Sequence, residues 1–307
     1  MGGHRGRKGI VALLWTLLVL AACAPSGPPP VTSAIGDDAV TIGSFDFPES
    51  ALLAELYAQA LEGHGIRVDR RLNLGPRELV LPALERGLIE LVPEYVGSAL
   101  AFLGGSPSSA TTPTLLRLRG VLAGRGLAAL SPAPAQDQNG FVVTRDTAER
   151  LGVHGLSDLG PHAGQLTLGG PPECPTRSLC LRGLEDTYGL RFGRFLALDA
   201  GGPLTLEALL SGAIDVGLMF TTDGTIERRG LVLLVDDLGL QPADNVTPIL
   251  RNDVIRRFGA EATQVLDAVS AALDTQTLRG LNAAVDSGEP IASVARGWLD
   301  AHGLRNG

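Results

Sequence analysis

The spacing of apolar positions changes twice between Val40 and Leu72. Val40 to Gly43 is a short apolar run with the length of a buried strand. From Pro48 onward, Leu52, Leu53, Leu56, Tyr57, Ala60 and Leu61 recur at helical spacing. Pro48 suits the first turn of that helix, and Gly63 and Gly65 suit its end. Ile66 to Leu72 then alternates as a second strand. Strand, helix and strand in this order predict an α/β fold with crossover helices.

The same grammar returns 125 residues later. Residues 79–95 and 204–220 each read as a helix stopped by glycine, Gly87 or Gly212, followed by Ile, an acid and an aliphatic residue. Those triplets, Ile89-Glu90-Leu91 and Ile214-Asp215-Val216, open buried strands that end in an aromatic, Tyr95 or Phe220. Ligands of open α/β sheets bind beyond the carboxyl ends of the strands, so each copy would present its ring to a cleft.

Pro132, Pro134 and the polar run Gln136 to Asn139 precede a strand at Phe141 to Thr144, which reads as a crossing between lobes. Asp244 to Arg251 would carry the chain back, and helical segments from Val254 onward would complete the first lobe, ending near Ile291 to Ala301. The expected organisation is a first lobe of residues 39–137 plus 250–307 and a second lobe of residues 138–249.

Residues 1–22 read as an export signal. Arg5, Arg7 and Lys8 precede the apolar stretch Ile10 to Ala22, which at 13 residues is shorter than the roughly 20 a membrane helix needs. The stretch closes on Leu20-Ala21-Ala22-Cys23, which resembles the lipobox of bacterial lipoproteins. That likeness implies cleavage before Cys23 and a diacylglyceryl group on its thiol. Residues 23–38, with Pro28-Pro29-Pro30, then form a tether between lipid and domain, and the protein sits on the extracytoplasmic face of a bacterial membrane.

Charge narrows the function further. The chain is acidic, with a formal charge of -8 that becomes -11 once the signal's three basic residues are removed. No basic run follows residue 8, which argues against nucleic acid. Lys8 is the only lysine, so a mature P-loop or Schiff-base site is excluded, and any ATP would be handled by another subunit. The histidines (His4, His64, His154, His162 and His302) show no spacing that suggests a metal cage or a triad, and Ser44, Ser98 and Ser211 lack a nucleophile elbow. Neither a metal nor another cofactor is expected. Outside the cytoplasm, Cys174 and Cys180 read as a disulfide closing a short loop, with two free thiols as the alternative.

Five runs along the chain carry a resemblance. They are Thr41-Ile42-Gly43-Ser44, the helix Leu53 to Glu62, Leu91-Val92-Pro93-Glu94-Tyr95-Val96-Gly97-Ser98, Pro134 to Asn139, and Thr221-Thr222-Asp223-Gly224. Together they resemble the OpuAC/ProX-like substrate-binding proteins of osmoprotectant ABC importers, over about Val40 to Leu304. The resemblance implies a two-lobed periplasmic-binding-protein fold of type II with ligand between the lobes. It also implies a small quaternary amine such as glycine betaine, choline or carnitine as ligand. The ABC permease and ATPase subunits would be its partners, no catalysis would occur, and the chain would act as a monomer.

A trimethylammonium head has no N–H donor, so aromatic faces select it, each contributing roughly 0.5–1 kcal/mol when exposed and about 2 when desolvated. The resemblance places Tyr95, Phe220 and Phe141 at cage positions, its motifs add Ser44, Asn139, Thr221 and Asp223 to the candidate ligand contacts, and the run after Ser44, where the chain departs from relatives, adds Phe45 and Asp46. Relatives often read Lys-Asn-Phe-Thr-Glu-Gln where this chain reads Phe45-Asp46-Phe47-Pro48-Glu49-Ser50. The extra ring and the lost hydroxyls point to a more apolar pocket, with a bulkier or aromatic solute as the alternative ligand. Asp46 has a second reading as the cap of the first helix. Two other functions stand as alternatives: a secreted hydrolase or transferase using carboxylates such as Glu94 and Asp223, and a lipoprotein whose cleft has lost transport and serves as a receptor or assembly factor.

Overall fold

The computed structural model describes residues 1–2, 38–199 and 201–305; all but the first two residues of the expected signal, Cys23 and nearly all of the tether lie outside the described residues. The chain first builds β1 (Ala39–Gly43), α1 (Pro48–Gly63), β2 (Arg67–Arg71), α2 (Arg77–Glu85), β3 (Leu91–Tyr95), α3 (Val96–Phe102), α4 (Thr111–Ala123) and β4 (Leu127–Ala129). It then crosses into β5 (Asn139–Thr144), α5 (Arg145–Leu151), β6 (Thr167–Gly170), α6 (Leu181–Tyr188), β7 (Arg194–Ala197), α7 (Pro203–Leu210), β8 (Val216–Phe220), α8 (Gly224–Arg228) and β9 (Leu231–Leu233). It returns through β10 (Val246–Arg251) to α9 (Asn252–Ala272), α10 (Thr275–Asp286) and α11 (Ile291–Ala301).

Two five-stranded sheets result, ordered β2-β1-β3-β10-β4 and β7-β6-β8-β5-β9. They are the same sheet built twice. In each, three strands run parallel, and the fourth and fifth are reached through antiparallel pairings. The fourth strands, β10 and β5, are the ones by which the chain enters each lobe from the other. Because Val246–Arg251 pairs with both β3 and β4, the return to the first lobe precedes Val246 rather than falling at residue 250.

The internal repeat holds at the level of single atoms. Gly87 and Gly212 stop their helices with φ of 75° and 73°, a backbone conformation that glycine reaches without a Cβ clash. Ile89 then packs on Gly43 of β1 and Ile214 on Gly169 of β6, where an added Cβ would meet the isoleucine Cδ1 at 2.6 and 2.5 Å. The next acid in each copy fastens the same neighbour. The Thr41 N–H donates to Glu90 and the Thr167 N–H to Asp215, both at 2.9 Å.

In the first lobe, α1 packs against the sheet on one side and against α9 and α11 on the other, so Leu52, Leu53, Leu56, Tyr57 and Leu61 are fully buried. The Tyr57 hydroxyl pairs with Ser270 Oγ at 2.9 Å, which satisfies two polar groups that would otherwise be stranded in the core. The second lobe buries Phe141, Leu168, Val216 and Leu218. Its loop after β6 brings Cys174 and Cys180 together, with Cα atoms 5.1 Å apart.

The two crossing segments run side by side, joined by a bridge between Gln136 and Asn245 and by an Asp137 N–H to Asp244 carbonyl bond of 3.1 Å. A third connection comes from α10. Arg279 donates two hydrogen bonds to the Thr221 carbonyl (3.0 and 2.8 Å), and Asn282 donates to the Thr222 carbonyl at 2.9 Å. Gly224, which opens α8, lies so close to α10 that a Cβ there would sit 2.4 Å from the Ala283 backbone. Among the described residues no helix is long and apolar enough to cross a membrane.

Candidate ligand-binding site

Where the carboxyl ends of β3 and β8 face each other, a cavity of about 940 Å³ opens between the lobes. This is near the upper end of the usual range for small-molecule sites, about 300–1,000 Å³. The first lobe supplies Phe47 and Tyr95, whose rings stack with centroids 6.3 Å apart. The second lobe supplies Phe220, which is 41% exposed at the end of β8 and turned into the cavity.

These rings are supported from behind. Phe45 stacks on Phe47 at 5.8 Å, and the Arg77 guanidinium lies over the other part of this stack, 5.1 Å from the Phe45 centroid. Arg77 is held in turn by the fully buried Glu94, through Nε to Oε1 at 2.8 Å and Nη2 to Oε2 at 3.0 Å. This bidentate geometry fixes the plane of the guanidinium.

Carboxyl groups surround the rings. Glu49, in the first turn of α1, accepts from the Tyr95 hydroxyl at 2.6 Å and from Asn282 Nδ2 at 2.5 Å. Asp137 accepts from the Thr222 hydroxyl at 2.9 Å. Asp244 accepts the Gly97 and Ser98 N–H groups at 2.8 and 2.9 Å, together with the Ser98 hydroxyl. Burial pushes Glu49 above the ordinary carboxylate range, only partly offset by its hydrogen-bond partners. Enclosure and the charge of Glu49 push Asp137 well above it, and burial pushes Asp244 up to about 6. Burial, followed by the charge of Glu49, also raises the Tyr95 phenol well above its usual value, so it remains a donor.

Of the residues expected at the site, the structure brings Tyr95, Phe220, Asn139 and Asp223 to the cavity wall. Asn139 donates to the Leu179 carbonyl at 3.2 Å, and Asp223 caps α8 by accepting from the Thr225 N–H at 2.7 Å. It does not bring Phe141, Ser44, Phe45, Asp46 or Thr221 there. Phe141 points into the core of the second lobe, 1% exposed, because its place in β5 puts it on the buried face. Ser44 ties down its loop, accepting from the Asn73 N–H at 2.8 Å and donating to the Phe45 carbonyl at 2.9 Å. Thr221 fastens the crossing segments through Gln138 N–H (2.9 Å) and the Gln136 carbonyl (3.0 Å). Asp46 is exposed, and α1 is instead preceded by Phe47, with no side-chain cap.

Residues that sequence reasoning passed over are Phe47, Glu49, Arg77, Asp137, Thr222, Asp244 and Asn282. Phe47 and Glu49 stood in the run compared with relatives, at the two positions where the residues agree, so their signal was present. Arg77, Asp244 and Asn282 sit outside the singled-out motifs and reach the cavity only through the fold.

Residues 38–301 match the family described as the substrate binding domain of the ABC-type glycine betaine transport system. The chain belongs to that family. It is 29% identical over 277 residues to the glycine betaine-binding protein YehZ of Escherichia coli, covering 86% of this chain and 90% of the relative. It is 29% identical over 280 residues to a glycine-betaine-binding protein of Pseudomonas aeruginosa, covering 87% and 89%. A solved glycine betaine/carnitine/choline ABC transporter structure superposes with a TM-score of 0.81 at 23% identity, covering 87% of this chain and all of that one, a likeness of fold. The family sets the frame for this cleft: a two-lobed substrate-binding component of an ABC transport system.

Proposed function

We propose that this protein captures glycine betaine, choline or a related quaternary amine between its lobes and delivers it to the permease of an ABC importer, without converting it. The observation that carries the reading is the placing of Phe47, Tyr95 and Phe220 around one cavity, with Glu49 hydrogen-bonded to the Tyr95 hydroxyl. Aromatic faces attract an alkylammonium that hydrogen bonds cannot hold. Ligand bridging both lobes stabilises the closed arrangement, and the permease recognises that surface. Cys23 carries the lipid that holds the monomeric domain at the extracytoplasmic membrane face, and Cys174 and Cys180 form a disulfide there.

Isothermal titration of the whole chain in detergent with choline, glycine betaine and carnitine tests this. Binding near 1 µM, which corresponds to about −8 kcal/mol, is expected for at least one of them. Tyr95→Ala is expected to weaken that binding tenfold or more. Absence of heat with all three ends the quaternary-amine reading and leaves the fold untouched. A second reading, a bulkier or aromatic solute, is favoured by the cavity volume of about 940 Å³.

A further inference from the structure

We propose that the cleft selects quaternary cations that carry no carboxylate, of the amino-alcohol kind, over zwitterionic betaines. The inference rests on the quaternary-amine reading above and sharpens it.

Most groups in the cleft that would hold a ligand carboxylate already hold another acceptor: the helix starts hold the protein's own carboxylates, and the amides of Gln138, Asn139 and Gln241 hold backbone carbonyls. At the start of α3 the Gly97 and Ser98 N–H groups both go to Asp244. At the start of α7 the Leu204 and Thr205 N–H groups go to Asp199, each at 2.9 Å. At the start of α8 the Thr225 N–H goes to Asp223. Helix α1 opens with Pro48, which has no N–H, and then with Glu49, whose carboxyl lines the cavity. Arg77 gives its Nε and Nη2 donors to Glu94, and Arg228 lies 3.8 Å from Asp286. The Tyr95 hydroxyl and Asn282 amide, which also face the cavity, both donate to Glu49.

Among the described residues, five carboxyl groups therefore line the cleft against two guanidiniums, and both guanidiniums have a carboxylate partner. A ligand carboxylate entering here meets a wall of carboxyl groups and, among the described residues, no guanidinium without a carboxylate neighbour, whereas a quaternary head meets three rings and carboxyls that ionise in its favour. Specificity of this kind comes as much from what repels the wrong ligand as from what attracts the right one. Enclosure keeps Glu49 and Asp137 above the ordinary carboxylate range, so an entering cation draws out their ionised forms.

The test uses ligands matched in shape and different in tail charge. The whole chain in detergent is titrated calorimetrically at pH 7.5 with glycine betaine, with its carboxamide, and with choline. The carboxamide and choline are expected to bind at least tenfold more tightly than glycine betaine. Equal or tighter binding of glycine betaine overturns this inference while the quaternary-amine reading stands. Binding of none of the three overturns that reading, and this inference with it.

Discussion

The hydroxyl of Tyr95 donates to Oε1 of Glu49 at 2.6 Å, tying the end of β3 to the first turn of α1. The Tyr95 ring stacks beside Phe47, and the bond places a carboxyl at the hydroxyl edge of the ring whose π face would receive a cation. Removing the hydroxyl and removing the ring should therefore differ. Tyr95→Phe retains the π face and loses one hydrogen bond to an acidic group, an effect of about 1 kcal/mol, or roughly fivefold in affinity. Tyr95→Ala should lose tenfold or more. Titrating both variants with the same quaternary amine checks the order, and equal losses would show that the ring is not a contact.

Cation affinity should increase with pH. Burial pushes Asp244 up to about 6, and Glu49 and Asp137 are raised as well. The charge of Glu94 raises Asp244 and that of Arg77 lowers it, Asp137 faces it electrostatically, and its hydrogen-bond donors come from α3. A cation binds the ionised carboxyls more strongly, so binding should tighten from pH 5 to 7.5 and release protons. Calorimetry in buffers of different ionisation enthalpy measures that release directly. A flat pH profile would remove these carboxyls from the binding event.

Stability of the unliganded protein should run the other way. Asp244 titrates near 3.8 when unfolded and about 6 when folded, so between those values the folded chain binds more protons. Its contribution is fully present below the unfolded value and is lost as pH rises through about 6, by up to about 3 kcal/mol. Denaturant titrations of wild type and Asp244→Asn at pH 4.5 and 7.5 check this: the variant should show a smaller fall in stability between the two.

Gly224→Ala should loosen the contact between α8 and α10. The new Cβ would meet the Ala283 backbone at 2.4 Å, and backbone cannot yield as a flexible side chain does. Helix α10 carries Arg279 and Asn282, which hold the Thr221 and Thr222 carbonyls beside the cavity. Overpacking of this kind costs about 1–3 kcal/mol. The expected result is a lower denaturation midpoint together with weaker ligand binding. Gly280→Ala, on the same helix with open space around it, should be close to neutral.

Loss of the link between Cys174 and Cys180 should lower stability by about 2 kcal/mol on chain-entropy grounds. The segment they enclose carries Leu179, whose carbonyl accepts from Asn139 and from Gln241 at the cavity wall. Cys174→Ser with Cys180→Ser should therefore reduce both the melting temperature and ligand affinity. Unchanged melting on addition of a reductant to the wild type would mean that the thiols are free.

The helix at α1, the glycine stops at Gly87 and Gly212 and the equivalent strands β3 and β8 were legible because they depend on neighbours a few residues away. A 3.6-residue apolar period and a glycine at positive φ are local facts. The choice among aromatic residues was not legible. Phe45, Phe47 and Phe141 read alike in sequence, yet one lies behind the site, one in it and one in the core of the second lobe. A side chain's face depends on strand register and on how the loop after β1 turns, and neither is written in residue type.

The sequence by itself determined an α/β chain of two similar halves and a family whose motifs end at strand tips, because strand, helix and stop signals act over short range. The tertiary structure alone decided the cleft's electrical character. Glu49, Asp137, Asp223 and Asp244 come from separate stretches of the chain, and only the two crossing segments and α10 bring them to one cavity. Charge acts through space between groups that folding makes neighbours, and burial strengthens it there, so no local pattern could have announced it.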